Sequence, residues 1–444
     1  MSSQYRIDEP HLPNPFSLIM GEAAVEKRTP GFSAAASGFA AKFARDFLLY
    51  SGEGHLCTVA PTRSGKGVSA IVPNLSHYRG TTIVLDPKGE NYDITARGRR
   101  EMGHRVYKLD PFGAIDSTTD SVNPLDALRL PNADVETDAQ TLAEAIVRGM
   151  TSSREPFWDH SGIGLLSAML MVAATREEPN RNLGWAFDML SSDDVVYNLA
   201  VLLDTQKETM PAQAYREIAS FLQITDLTRS GILAVTQSYF KMLATTKVRR
   251  TIDTSTIDLA DVIDGNPVTI YMILPSERIN SHAGLLKVWL ATFFKAVLAR
   301  KSQPTHKTLF LLDEAGQLGG FPFLESLMTL AGGYGVWLWL IYQDLSQLQA
   351  AYPKTWKTML NNCGVLQFFG VNNRQMATSW AECLDSSAAQ ILKLANDEQM
   401  LLLQKQGEVR CRRINYLHHP YFAGKCDPNR LFRNHRPGGP SMQP

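Results

Sequence analysis

The sequence predicts an α/β protein: a parallel sheet flanked by helices, with an all-helical domain inserted into it. Three observations carry that prediction. Short β-rich runs alternate with helical spacing over 51–124 and again over 256–437. The later runs are apolar almost without a break, which marks strands buried on both faces, as a helix-flanked parallel sheet requires. Between 125 and 255 the strand signal disappears and helical spacing continues throughout.

The elements follow in order. Residues 1–50 form a lead-in with a helix expected over 34–49. "HLCTVA" (55–60) is the first strand; it runs into a glycine loop and then a helix. "TTIVLD" (81–86) and "HRVYKLD" (104–110) both stop at an Asp-Pro pair, where proline ends the ladder. Helical stretches such as "HSGIGLLSAMLMVAATREE" fill the insert, which is slightly acidic, with 15 acidic and 11 basic residues between 131 and 250. Strands resume at "NPVTIYMIL" (266–274), "KTLFLLDE" (307–314), "GVWLWLIYQD" (335–344) and "GVLQFFG" (364–370). Residues 404–437 carry eight Lys or Arg against two acids, a locally basic segment, and 438–444 form a flexible tail.

Bulk properties narrow the function classes. At 444 residues the chain exceeds what one hydrophobic core usually serves. Its 44 basic and 44 acidic residues balance, so whole-chain charge does not argue for nucleic acid and any basic surface must be local. The five cysteines (Cys57, Cys363, Cys383, Cys411, Cys426) are scattered without a C-x-x-C pair and read as reduced thiols. No apolar run reaches the roughly 18 residues of a membrane span, and the N-terminus lacks the form of a signal peptide. The expectation is a chain without a transmembrane segment, soluble and cytoplasmic.

The chemistry is concentrated in three strand ends. "APTRSGKG" (60–67) departs from the phosphate-loop form G-x-x-x-x-G-K-[ST] at two positions. Ala60 stands at the first glycine, and Gly67 stands where a Mg²⁺-binding hydroxyl belongs. A strand, a glycine turn and a helix start nevertheless aim backbone N–H groups at an anion, with Lys66 in reach of terminal phosphates. "LFLLDE" places Asp313 and Glu314 at the end of an apolar strand, the first suited to Mg²⁺ and the second to activating water. "WLWLIYQD" ends in Gln343, which can sense a γ-phosphate or serve as a satisfied structural amide. Open parallel sheets bind ligands at these carboxyl edges. Arg374 and Arg229 are the candidates for an arginine acting on a neighbouring subunit, each against a plain surface role.

Taken together, these segments resemble the TraG-like type IV coupling proteins, ring-forming ATPases related to the FtsK and HerA translocases. The resemblance covers most of 54–430 and adds "DPKGENYDITARGRR", "LDPFG", "SVNPLDAL" and "TMLNNCGVLQFFGVNN" to the three sites. It implies a P-loop RecA-like fold over 51–124 and 256–437, with 125–255 as the all-α insert. It implies ATP and Mg²⁺ as cofactors, nucleotide contacts by Thr62, Arg63, Ser64, Gly65, Lys66, Gly67 and Val68, and Mg²⁺ held by Asp313. Lys66, Asp313, Glu314, Gln343 and Arg374 are the catalytic candidates. Asp86, Lys88 and Glu90 match a family segment with no chemical role that the residues themselves suggest. The implied partners are non-specific DNA, a relaxase or effector cargo received by the all-α domain, channel components of a type IV secretion system, and further copies of the chain in a hexameric ring. The implied location is the cytoplasmic face of a bacterial inner membrane, although the paired N-terminal membrane helices usual in that family are absent from this sequence. Arg410, Arg412, Arg413, Arg430, Arg433 and Arg436 could add phosphate contacts to DNA. Two alternatives stand beside this reading: a cargo receptor with little motor activity, and a soluble DNA-translocating ATPase for packaging or defence.

Overall fold

The computed structural model describes residues 13–22, 47–147 and 156–431. Its spine is an eleven-stranded sheet. In chain order the strands are β1 (Leu18–Glu22), β2 (Phe47–Tyr50), β3 (His55–Val59), β4 (Thr82–Asp86), β5 (Arg105–Leu109) and β6 (Val268–Ile273). They continue as β7 (Thr308–Leu312), β8 (Val336–Tyr342), β9 (Cys363–Phe368), β10 (Glu398–Leu403) and β11 (Gly407–Arg412). Across the sheet the order is β2-β1-β11-β10-β9-β3-β8-β7-β4-β6-β5.

The strands from β9 to β5 are parallel. Every residue of β3, β4, β6, β7, β8 and β9 is buried, which is why those runs are mostly apolar and why a polar pair such as Thr58 and Gln367 is hydrogen-bonded within the sheet. β5 stands at the edge and starts exposed at Arg105, while the buried Lys108 is ion-paired with Asp116. Register matters for the site. Leu85 pairs with Leu312 and Val59 with Tyr342, so the chain leaves β4 beside β7 and β3 beside β8 at one level.

The other end of the sheet is antiparallel and was not foreseen. Residues 47–50, expected to end a helix over 34–49, form β2 on β1; residues 34–46 lie outside the described ones. Phe47 and Tyr50 gain burial and a strand partner there, and tertiary pairing overrides local spacing. β10 and β11 form a hairpin inside the stretch that sequence read partly as a basic tail. β10 joins it to β9, and β11 carries β1.

Between β5 and β6 the described residues contain helices and no strand. The central one, Pro156–Ala174, starts exposed with Asp159 and His160 but is apolar in its second half, with Leu165 to Val172 almost wholly buried. Its length and composition would suit a membrane span, which the sequence reading had not registered. Here 61% of its most apolar window is buried, and it packs on helices Val135–Val147, Ala212–Gln223 and Asp226–Phe240. A stretch of helix buried on all sides has no polar face to keep. Helix Ser276–Leu298 joins these helices to the sheet: Trp289, Phe293 and Phe294 are fully buried, and Phe294 packs on Phe310 of β7 at 4.5 Å between ring centres. One apolar core runs from β3 and β4 into the helical lobe.

Candidate functional site

At the carboxyl edge of β3, β4, β7 and β8 lies a cleft of about 940 Å³. The loop after β3 forms one wall. Ala60 still follows sheet geometry, donating its N–H to Tyr342 O at 2.9 Å, so no glycine freedom is required at that position. The freedom is needed further on, where Arg63 and Gly65 have φ of 62° and 88°. These two left-handed residues turn the chain around Ser64 and start the helical segment 67–75 with Lys66 as its N-cap.

Lys66 Nζ lies 3.1 Å from Glu314 Oε1 and 3.9 Å from Asp313 Oδ1. Gln343 Nε2 donates to Glu314 Oε2 at 2.5 Å, and its Oε1 accepts from Thr62 Oγ1 at 2.9 Å. Gln347 Oε1 fixes the Gln343 backbone by accepting its N–H at 2.9 Å. Glu314 has φ of 61°, a strained value for a non-glycine residue, so the turn after β7 is dictated by its surroundings. Two strand ends, 281 and 248 positions from the loop in sequence, are thereby joined to it through side chains.

Asp313 and Asp86 end adjacent strands. Burial pushes Asp313 up to about 6 against the lowering pull of Lys66, and burial pushes Asp86 up to about 7, with Asp313 adding to it. Asp86 is 1% exposed and accepts the Tyr92 N–H at 2.9 Å. Asp313 Oδ1 is buried and takes part in no hydrogen bond among the described residues. A carboxylate oxygen held only by the longer Lys66 ion pair, in a cleft large enough for a nucleotide, is a fitting ligand for Mg²⁺. A Cβ on Gly67 would meet nothing within 4 Å, so the place of the missing hydroxyl is open. Among the described residues no group of three His, Cys, Asp or Glu could hold a metal by itself, so a cation here needs phosphate and water oxygens.

Of the sequence candidates, Thr62, Arg63, Gly65, Lys66, Gly67, Val68, Asp313, Glu314 and Gln343 line this cleft, as do Asp86, Lys88 and Glu90. Ser64 does not line it: its Oγ is buried without a partner, against Gly370. Arg374 opens helix Arg374–Ala381 as an exposed residue and does not line the cleft. Neither does Arg229, whose guanidinium donates to the carbonyls of Leu222 and Ile224 and pairs with Asp226. The basic segment is largely paired within the fold. Arg410 meets Glu398, Arg430 meets Asp93, and Arg413 donates to the carbonyls of Ser64 and Asn396. Arg433 and Arg436 lie outside the described residues. Sequence reasoning missed Gln317 and Gln347, whose amides follow Glu314 and Gln343 within a helical turn but carry no motif of their own, and the loop contact of Arg413, which lies 349 residues from Ser64.

A family model for type IV secretory system conjugative DNA transfer matches residues 17–383. The chain belongs to this family. It is 27% identical to Protein VirD4 of Rhizobium rhizogenes over 347 residues, covering 75% of this chain and 49% of that one. It is 26% identical to the conjugal transfer protein TraG of Escherichia coli over 365 residues, covering 74% and 55%. The chain thus spans about half the length of these curated relatives. Among solved structures, the coupling protein TrwB in complex with ADP and Mg²⁺ superposes with a TM-score of 0.64 at 14% identity, covering 92% of this chain and 97% of that one. VirB4 of Thermoanaerobacter pseudethanolicus superposes at 0.56 and 11% identity, covering 93% and 99%. These likenesses show that the family member has the P-loop, RecA-like α/β fold.

Proposed function

We propose that this chain is the ATP-hydrolysing motor of a conjugative coupling protein, which uses Mg²⁺-ATP to drive DNA, alone or with attached protein, into a type IV secretion channel. The observation that carries this is the convergence of Lys66, Asp313, Glu314 and Gln343, from three separate strand ends, in one cleft. The family and the TrwB complexes with a non-hydrolysable ATP analogue and with ADP and Mg²⁺ support it.

Each residue has a role set by its contacts. Backbone N–H groups from Gly65 onward, at a helix start, receive phosphate oxygens, and Gly65 lets the backbone come close. Lys66, which pairs with Glu314 at 3.1 Å, is drawn to the more highly charged triphosphate. That exchange leaves Glu314 free to accept a proton from the attacking water, while Gln343, already bonded to Glu314, holds that carboxylate in place. Asp313, buried and without a hydrogen bond at Oδ1 among the described residues, would hold Mg²⁺, whose charge would neutralise the phosphates.

DNA is taken through its backbone without sequence preference, and cargo proteins dock on the helical lobe of 125–255. The active form is a ring, assigned here six copies, at the cytoplasmic face of the inner membrane. Arg374, exposed outside its own cleft, is the better of the two arginine candidates for a neighbour's site, because Arg229 is committed to its own helix start. The test is steady-state ATP hydrolysis with and without single-stranded DNA. Glu314→Gln is expected to keep nucleotide affinity and lose about two to four orders of magnitude in turnover. Turnover unchanged in that variant, or flat against DNA in an oligomeric sample, refutes the motor assignment.

A further inference from the structure

Arg413 follows β11, 349 residues from Ser64, yet its guanidinium is tied to the nucleotide loop. One terminal nitrogen donates to the Ser64 carbonyl and the other to the Asn396 carbonyl. The guanidinium lies over the Phe369 ring, 5.0 Å from its centre. Its own N–H is bonded to Asp397 O at 2.7 Å, so the backbone is anchored as well as the head group. We infer that Arg413 is the positioning residue of the phosphate loop, a role the phosphate-loop sequence itself does not contain, and this inference rests on the nucleotide reading above.

Three physical points support it. Ser64 sits between the two left-handed residues, Arg63 and Gly65, where the loop conformation is least favoured locally and must be imposed from outside. Holding the Ser64 carbonyl on the side of Arg413 turns the Gly65 N–H of the same peptide the opposite way, because a peptide's N–H and C=O point in opposite directions. The guanidinium also brings a permanent positive charge close to the seat: its Nη1 lies 3.6 Å from where a Cβ on Gly65 would be.

The surroundings leave that charge directed at the loop. Burial is the main influence on the guanidinium, lowering its pKa from the usual value, and Asp397 only partly offsets it. The Asp397 carboxylate itself lies 3.8 Å from Arg412, on the exposed side of the hairpin. Nε has no hydrogen-bond partner among the described residues. A half-buried cation bonded to two carbonyls is poorly compensated in the empty site and better compensated once a triphosphate is seated. Lysine could keep the charge but has no planar fork to bridge two carbonyls while also lying over the Phe369 ring.

The test measures ATP and inorganic tripolyphosphate affinity, KM and kcat for Arg413→Ala and Arg413→Lys, with melting temperature as a fold control. Arg413→Ala is expected to weaken both ligands by a similar factor, about ten- to a hundredfold, as loss of a charge-assisted hydrogen bond implies. KM should rise more than kcat falls, Arg413→Lys should lie between, and added guanidinium chloride at low millimolar levels should restore part of the alanine variant's affinity. If the alanine variant does not fold, the lysine variant decides. Wild-type phosphate affinity in a folded Arg413 variant overturns the inference. Lys66→Ala separates the two levels: if it still binds ATP like wild type, the nucleotide reading itself fails.

Discussion

Replacing the buried Asp86 by asparagine probes the electrostatics of the cleft without touching the loop. Asp86 is 1% exposed and its carboxyl is pushed from an ordinary 3.8 to about 7, first by burial and then by Asp313, against the N–H groups of Tyr92 and Asn91. The folded chain therefore holds a proton on Asp86 between those values that the unfolded chain releases. Stability falls as pH rises from about 4 to 7, and the penalty is complete above 7. At about 1.4 kcal/mol per pH unit the ceiling is about 4 kcal/mol. Incomplete desolvation and relaxation reduce this, so about 1–3 kcal/mol is the expected relief at pH 8. Asparagine keeps an oxygen for the Tyr92 N–H and carries no charge. For 444 residues, about 1 kcal/mol corresponds to about 1 °C in Tm. Because somewhat over a third of the penalty is already present at pH 5, thermal melts of the nucleotide-free protein should show Asp86→Asn gaining about 1–2 °C more over wild type at pH 8 than at pH 5. A gain or loss equal at the two pH values would show that the carboxylate is not desolvated in the folded chain.

Two further substitutions examine the loop. Gly67→Ser places a hydroxyl in open space, since a Cβ there meets nothing within 4 Å, and should leave ATP turnover within about twofold of wild type; a dead variant that still binds nucleotide would contradict the assignment of Mg²⁺ to Asp313, phosphates and water. Gly370→Ala sets a Cβ 2.4 Å from the Ser64 Cβ at a φ of 79°, so it should push on the loop and raise KM for ATP by about tenfold while the helical lobe is unaffected; an unchanged KM in the folded variant would mean the loop yields freely.

Much of the chemistry was legible in order along the chain. β3, β4, β6, β7, β8 and β9 announce themselves because a strand buried on both faces has no polar side, and each leads to a turn at the sheet's carboxyl edge. Lys66, Asp313, Glu314 and Gln343 each follow directly from such a strand or its loop, so their type and place could be read locally. Phe47–Tyr50 could not, since four apolar residues suit a helix end or an edge strand, and only β1 decides between them. Helix Pro156–Ala174 shows the same ambiguity at larger scale: its composition suits a bilayer or a protein core, and its neighbours supply the core.

Tertiary structure alone decided which distant residues meet. The register of β4 on β7 sets Asp86 beside Asp313, turning an unassigned family residue into a neighbour of the proposed metal ligand. Arg413 reads in sequence as one more charge in a basic segment fit for DNA. In the fold the β10–β11 hairpin brings it under the phosphate loop, while Arg410 and Arg430 are spent on acids of their own chain. Periodicity records whether a residue is buried, because that depends on its own element. Which atom it touches depends on strand order and register, which arise only when the whole sheet assembles.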